Sequence, residues 1–166
     1  MLYTCALKHC AVNTKKTMTD HTSQSPDSDG ALDFFLRLAR AQALIVRRFD
    51  SALGNVHGLS FSDYQLLYQL QRAPGARLRR IDLAERLALT ASGVTRSLMP
   101  LEKIGLVARQ ADVRDARVGY AVLTAAGQEL LEHASATAHA VGRELLQDAP
   151  AEQLGALSAI LGRLAG

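Results

Sequence analysis

Apolar residues return every three or four positions along 31–53, at Phe34, Leu38, Ala41, Ile45, Phe49 and Leu53. That spacing predicts one long amphipathic helix, closed by Gly54. Ser60-Phe61-Ser62-Asp63 has the form of a capping box. It opens a second helix carrying Tyr64, Leu67 and Leu70, and Pro74-Gly75 stops it. Residues 81–87 read as a short third helix, with no good N-cap but with Asp82 suiting the dipole of its first turn. Thr90 caps a fourth helix that runs to Ile104, with Gly105 as its stop. On this helix Leu98, Leu101 and either Val94 or Ile104 fall on the buried side. Ala91, Ser92, Thr95, Arg96 and Met99 fall outward. Residues 106–110 and 118–123 read as two strands around a polar turn. Thr124 caps a fifth helix with apolar positions Leu130, Ala134, Ala138, Val141 and Leu145. Pro150 separates it from a sixth, carrying Leu154, Leu157, Leu161 and Leu164.

The predicted fold is mainly α with a small β-hairpin wing. The third helix, the tight turn Ala88-Leu89-Thr90 and the fourth helix form a helix-turn-helix, and the hairpin directly after it makes the unit winged. In such a unit the second helix enters the major groove by its N-terminal residues. Ser92 and Thr95 offer hydroxyls to phosphates or bases, and Arg96 can grip a guanine bidentately. Gly93 is expected to let the backbone approach DNA closely. Arginines at the tip of the hairpin suit a narrow minor groove, which concentrates negative potential.

Composition sharpens this picture. The 166 residues suffice for a real core, and the apolar runs are too short to span a bilayer. The net charge is only +3, but 76–118 holds nine basic and five acidic residues. A basic middle between near-neutral ends is the footprint of a nucleic-acid surface. Residues 1–29 read as a tail, with Met18 the expected start and 1–17 extraneous. The only cysteines, Cys5 and Cys10, precede the predicted fold and are expected to have no role; a reducing cytoplasm is the natural compartment. Gly-rich phosphate loops, nucleophile elbows and metal-ligand spacings are missing from the sequence, so neither an enzyme, a cofactor nor a metal is expected. His133 and His139, six apart, do not share a helical face.

The run from Asp82-Leu83-Ala84-Glu85-Arg86-Leu87 through Val94-Thr95-Arg96 and Leu101-Glu102-Lys103-Ile104-Gly105-Leu106-Val107 resembles the MarR family of bacterial transcriptional regulators. Asp115-Ala116-Arg117, with Leu123-Thr124-Ala125-Ala126-Gly127 following, is the specific part of the likeness. The resemblance spans about 32–164 and implies a homodimer on a pseudo-palindromic operator, usually a repressor released by a small ligand or oxidant. It implies a winged helix at about 60–123 and dimerisation helices at 31–53 and 125–165, within one domain at 31–166. It makes Arg117 the minor-groove arginine and Asp115 the residue that positions the wing's arginines, with Arg114 a second basic tip residue. The family's redox branch keeps a cysteine in the first helix, where this chain has Phe34-Phe35-Leu36. Relatives hold their effector between the dimerisation helices and the winged helix. Arg47, Arg48, His57, Ser60, Phe61 and Tyr64 are the candidates to line that pocket here, for an effector such as a phenol or aromatic acid. The rival readings are a winged helix used for protein–protein contact and a redox-responsive regulator.

Overall fold

The computed structural model describes residues 26–112 and 119–165. The chain divides into two compact units, 1–37 and 38–166. Of the first unit the description covers only the opening turns of helix α1, Pro26–His57. There Phe34 and Phe35 meet edge to face at 5.4 Å, and Arg37 pairs with Asp33 one turn earlier at 2.6 Å.

In the second unit α1 runs through Gly54, the expected stop, to His57. The left-handed residue that ends it is Gly58, at φ +68°. Helical backbone at Gly54 costs only about 1 kcal/mol, which the burial of Leu53 outweighs. Helix α2 (Phe61–Gln71) starts in the expected capping box: Ser60 Oγ accepts from the Asp63 N–H, and Asp63 accepts from the Ser60 N–H. The Phe61 N–H donates to Asp50 at 2.7 Å, tying the start of α2 back to α1.

The chain then enters a strand that the hydrophobic pattern does not show. β1 (Arg77–Arg79) pairs antiparallel with β3 (Gly119–Leu123), which pairs on its other side with β2 (Val107–Ala111). The expected two-stranded wing is thus the outer part of a three-stranded sheet. β1 has a single apolar residue, Leu78, and it is buried. Only its pairing with residues some forty positions later makes it a strand.

Helices α3 (Arg80–Arg86) and α4 (Ala91–Lys103) follow as expected, and α3 has no side-chain cap. The turn between them puts Ala88 in the left-handed region, at φ +51°. The choice left open on α4 resolves sharply: Val94 is fully buried and Ile104 is 64% exposed. Leu53, Leu59, Leu66, Leu67, Leu70, Leu83, Leu98 and Leu131 form the sealed centre of the core. Helix α5 (Ala125–Leu145) therefore buries Leu131 rather than Leu130, one residue on from the expected stripe, and leaves Leu145 exposed. Helix α6 (Ala151–Ala165) buries none of its residues.

The N-terminus of α5 docks on the loop between α4 and β2. The Leu106 carbonyl accepts from the Thr124 N–H at 3.1 Å, and the Thr124 hydroxyl lies 2.7 Å from the Gly105 carbonyl and 3.0 Å from that of Leu106. The same hydroxyl caps α5 by accepting from the Gly127 N–H at 3.0 Å. A Cβ on Gly127 would stand 2.2 Å from Leu106 O and 2.8 Å from a Leu123 methyl. Gly142 on the same helix has nothing within 4 Å of such a Cβ. Gly127→Ala is therefore expected to lose about 1–3 kcal/mol of stability, while Gly142→Ala gains about 0.5–1 kcal/mol. Denaturant unfolding at one protein concentration checks both.

Candidate nucleic-acid interface

Thr90 precedes α4 in extended backbone, and its Oγ1 accepts from the Gly93 N–H at 3.1 Å. A Cβ on Gly93 would sit 3.2 Å from that oxygen and 3.6 Å from Leu89 Cβ. The small residue therefore serves the cap. With Val94, Leu98 and Leu101 buried, Ala91, Ser92, Arg96 and Met99 are exposed and Thr95 is half-buried, as the periodicity predicts. Ser92 Oγ lies 3.1 Å from Thr90 Oγ1, and Thr95 Oγ1 donates to the Ala91 carbonyl at 3.0 Å. Arg96 takes no part in the ion pairs among the described residues.

Arg80, at the start of α3, pairs with Glu102 of α4 at 3.0 Å and braces the two helices. Its Nε is buried without a hydrogen-bond partner among the described residues. Arg114, Asp115 and Arg117, between β2 and β3 in sequence, lie outside the described residues.

The sheet carries a second basic group to which the motif reading assigned no role. Leu78 and Ala121 face the core, so Arg77 and Arg79 share the opposite face of the sheet. The Arg77 guanidinium lies 5.0 Å from the centre of the Tyr120 ring and donates to Gln110 at 3.4 Å. A hydrogen bond with Tyr120, and then the charges of Tyr120 and Asp82, push the Arg79 pKa above its usual value. The sequence signal was there, as alternate arginines, but only the non-local register shows that they share a face with Tyr120.

Behind the helix-turn-helix, α1, α2, α5 and α6 enclose an open cavity of about 1010 Å³. Phe49, Phe61, Tyr64 and Tyr68 form its aromatic wall, with successive centroids 4.3, 6.5 and 6.1 Å apart and rings within 25° of parallel. His139 and Arg143, one turn apart on α5, also line it. Of the six candidate pocket residues, Phe61 and Tyr64 are here. His57 instead holds α5 through Thr137 at 2.8 Å, and Ser60 is committed to its cap. Arg47 and Arg48 line a separate groove of about 500 Å³, and Arg48 is paired with Glu144. His139, weighed in the sequence only as a metal ligand, and Arg143 were not candidates for this pocket because they lie some seventy to ninety residues from the aromatic wall in sequence.

Among the described residues there is no cluster of His, Cys, Asp or Glu fit to hold a metal ion, and no helix is long and apolar enough to cross a membrane.

Residues 57–118 match the sequence model of the MarR family. No curated protein matches the chain by sequence. The fold is that of solved MarR-family regulators. Sco3205 of Streptomyces coelicolor, solved in complex with DNA and described as a MarR family transcriptional regulator, is 27% identical with a TM-score of 0.76, over 85% of this chain and 87% of that one. The transcriptional regulator BldR of Sulfolobus solfataricus is 27% identical at a TM-score of 0.74, over 84% and 99% of the two chains. CouR of Rhodococcus jostii RHA1, solved with p-coumaroyl-CoA, shares the fold at 24% identity and a TM-score of 0.71, over 86% and 96%.

Thr90→Ala removes the cap of α4 and strands the Gly93 N–H. It is expected to cost about 1 kcal/mol, read as a lower denaturation midpoint, with faster amide exchange at Gly93.

Proposed function

We propose that this chain, a winged-helix protein of the MarR family, is a cytoplasmic transcriptional repressor that binds a pseudo-palindromic operator as a homodimer and is released by a small ligand. The observation that carries the DNA reading is α4 itself. Three buried residues fix its orientation, and it presents two small hydroxyl residues outward with an arginine that forms no ion pair among the described residues, beside strands that flank Arg114 and Arg117 in sequence. That arrangement supports Ser92, Thr95 and Arg96 as major-groove residues and Arg114, Asp115 and Arg117 as the wing contact. Arg77 and Arg79, exposed on the sheet, add phosphate contacts that carry no sequence information.

The homodimer is supported by apolar surface that the winged helix does not use. Leu145 and Leu146 of α5 and Leu157, Ile160, Leu161 and Leu164 of α6 are 39–53% exposed. Leu44 and Ile45 of α1 are 47% and 39% exposed. Apolar surface gathered on terminal helices suits an isologous contact between two copies.

The cavity suits a flat aromatic acid. Parallel rings stack against a planar ligand, and Arg143 with His139 gives its carboxylate a cationic partner. A protein of this fold binds p-coumaroyl-CoA, an aromatic thioester.

Titrating the full chain with its own promoter fragment tests the DNA reading. Affinity is expected to fall steeply between about 50 and 200 mM salt, by 10³-fold or more if the dimer neutralises six or more phosphates. Arg117→Ala is expected to weaken specific and random duplexes alike. Arg96→Ala is expected to narrow the difference between them by about 1–3 kcal/mol. An affinity insensitive to salt would refute contact with phosphates.

For the effector, p-coumarate and its uncharged amide are compared by calorimetry. The acid is expected to bind more tightly, and Arg143→Ala to erase that preference.

A further inference from the structure

We propose that α4 reads the 5-methyl groups of thymines through an apolar ridge formed by Ala91, the Thr95 methyl and Met99, beside Arg96 as a hydrogen-bonding reader of a base edge. The inference rests on the DNA-binding reading above and specifies what the helix recognises.

The three residues are spaced i, i+4 and i+8, so they form a single row along the outward face. At 1.5 Å per residue the row is about 12 Å long, enough to follow three to four base steps at about 3.4 Å each. Ser92 and Arg96, one residue further round, form the neighbouring row. The hydroxyls that the sequence offers each make one hydrogen bond within the helix already. Thr95 gives its only hydrogen to the Ala91 carbonyl at 3.0 Å, so toward a base it brings no donor and presents its methyl and acceptor lone pairs. Ser92 Oγ is 3.1 Å from Thr90 Oγ1, itself occupied in capping Gly93.

Met99 is 60% exposed in the middle of this face, although α4 already buries Val94, Leu98 and Leu101 on its other side. A large apolar side chain on the row that enters the groove is unexplained by the core. The thymine methyl is the apolar group that the major groove presents; Ala and Thr methyls pack against it, and the flexible thioether of Met99 offers an apolar surface of the same kind. The occupant is therefore thymine-bearing duplex, with guanine at the step that Arg96 reaches.

The probe is a duplex library with a randomised centre, enriched on the full chain. The recovered site is then resynthesised with each thymine in turn, and then all of them, replaced by uracil, which pairs identically but lacks the methyl. The wild-type chain is expected to bind about fourfold more weakly for each contacted methyl removed, and at least tenfold more weakly when all are removed. Thr95→Ser keeps the hydroxyl and deletes only the methyl, and Met99→Ala deletes the tip of the row. Each is expected to abolish the penalty at its own thymine and leave the others intact, while Met99→Leu retains it. Arg96→Ala is expected to lose the guanine preference without changing the thymine-to-uracil ratio. All of these side chains lie outside the buried core, and thermal unfolding confirms that each variant folds.

A wild-type ratio near one overturns the inference, as does a ratio that neither Thr95→Ser nor Met99→Ala changes at any position. In both cases enriched binding leaves the regulator reading standing. Failure of the wild-type chain to enrich any duplex overturns that reading and this one together.

Discussion

The carbonyl of Leu106 is the point on which the functional half of the molecule turns. It sits where α4 has ended at Gly105, φ +78°, and β2 is about to begin. Thr124 reaches it with both its N–H and its hydroxyl, and Gly127 comes so close that no side chain fits between. Three elements are thereby locked together: the C-terminus of α4, the strands that carry the wing, and the start of α5. A hydrogen bond of this kind contributes only about 1 kcal/mol net. Its importance is geometric, because the directions of α4 and of the wing strands are fixed relative to each other before either meets a partner.

Arg80 and Glu102 fix α3 against α4 in the same way from the other side. The leucine core beneath, from Leu53 to Leu131, supplies the bulk of the cohesion and little of the direction. Apolar burial is tolerant of small rotations, whereas the Leu106 contact and the two threonine caps are not. That division of labour gives a rigid helix-turn-helix on an ordinary core.

The same aromatic residues link the large cavity to the turn before α4. Phe61, Tyr64 and Tyr68 line the large cavity on one side, and on the other they border a second of about 430 Å³ with Arg86, Leu87 and Ala88. One aromatic wall therefore stands between the large cavity and the turn before α4, where Ala88 is held in the left-handed region at a cost of about 1–2 kcal/mol.

Much of this is written in local sequence. The capping box at Ser60, the caps at Thr90 and Thr124 and the stop at Gly105 were legible because a cap is a contact within four residues. So was the outward face of α4, since 3.6-residue periodicity separates its two sides. Tertiary packing decided the rest. Gly54 became mid-helix because Leu53 had a core to fill, and β1 exists only because β3 comes back to pair with it. Val94 and not Ile104 is buried, and Leu131 and not Leu130, because neighbours choose between residues that the period ranks equally. That His139 and Arg143 face the cavity could not be found along the chain, for a pocket is assembled across helices distant in sequence. The sequence by itself determined which segments are helices, where the capped ones α2, α4 and α5 begin, and that one of them turns a small polar face with one arginine outward; α1 starts at Pro26, inside what reads as a tail. Only the tertiary structure decided that Arg77 and Arg79 share a sheet face with Tyr120 and that His139 and Arg143 meet the aromatic wall, because those partners lie dozens of residues apart and only folding places them side by side.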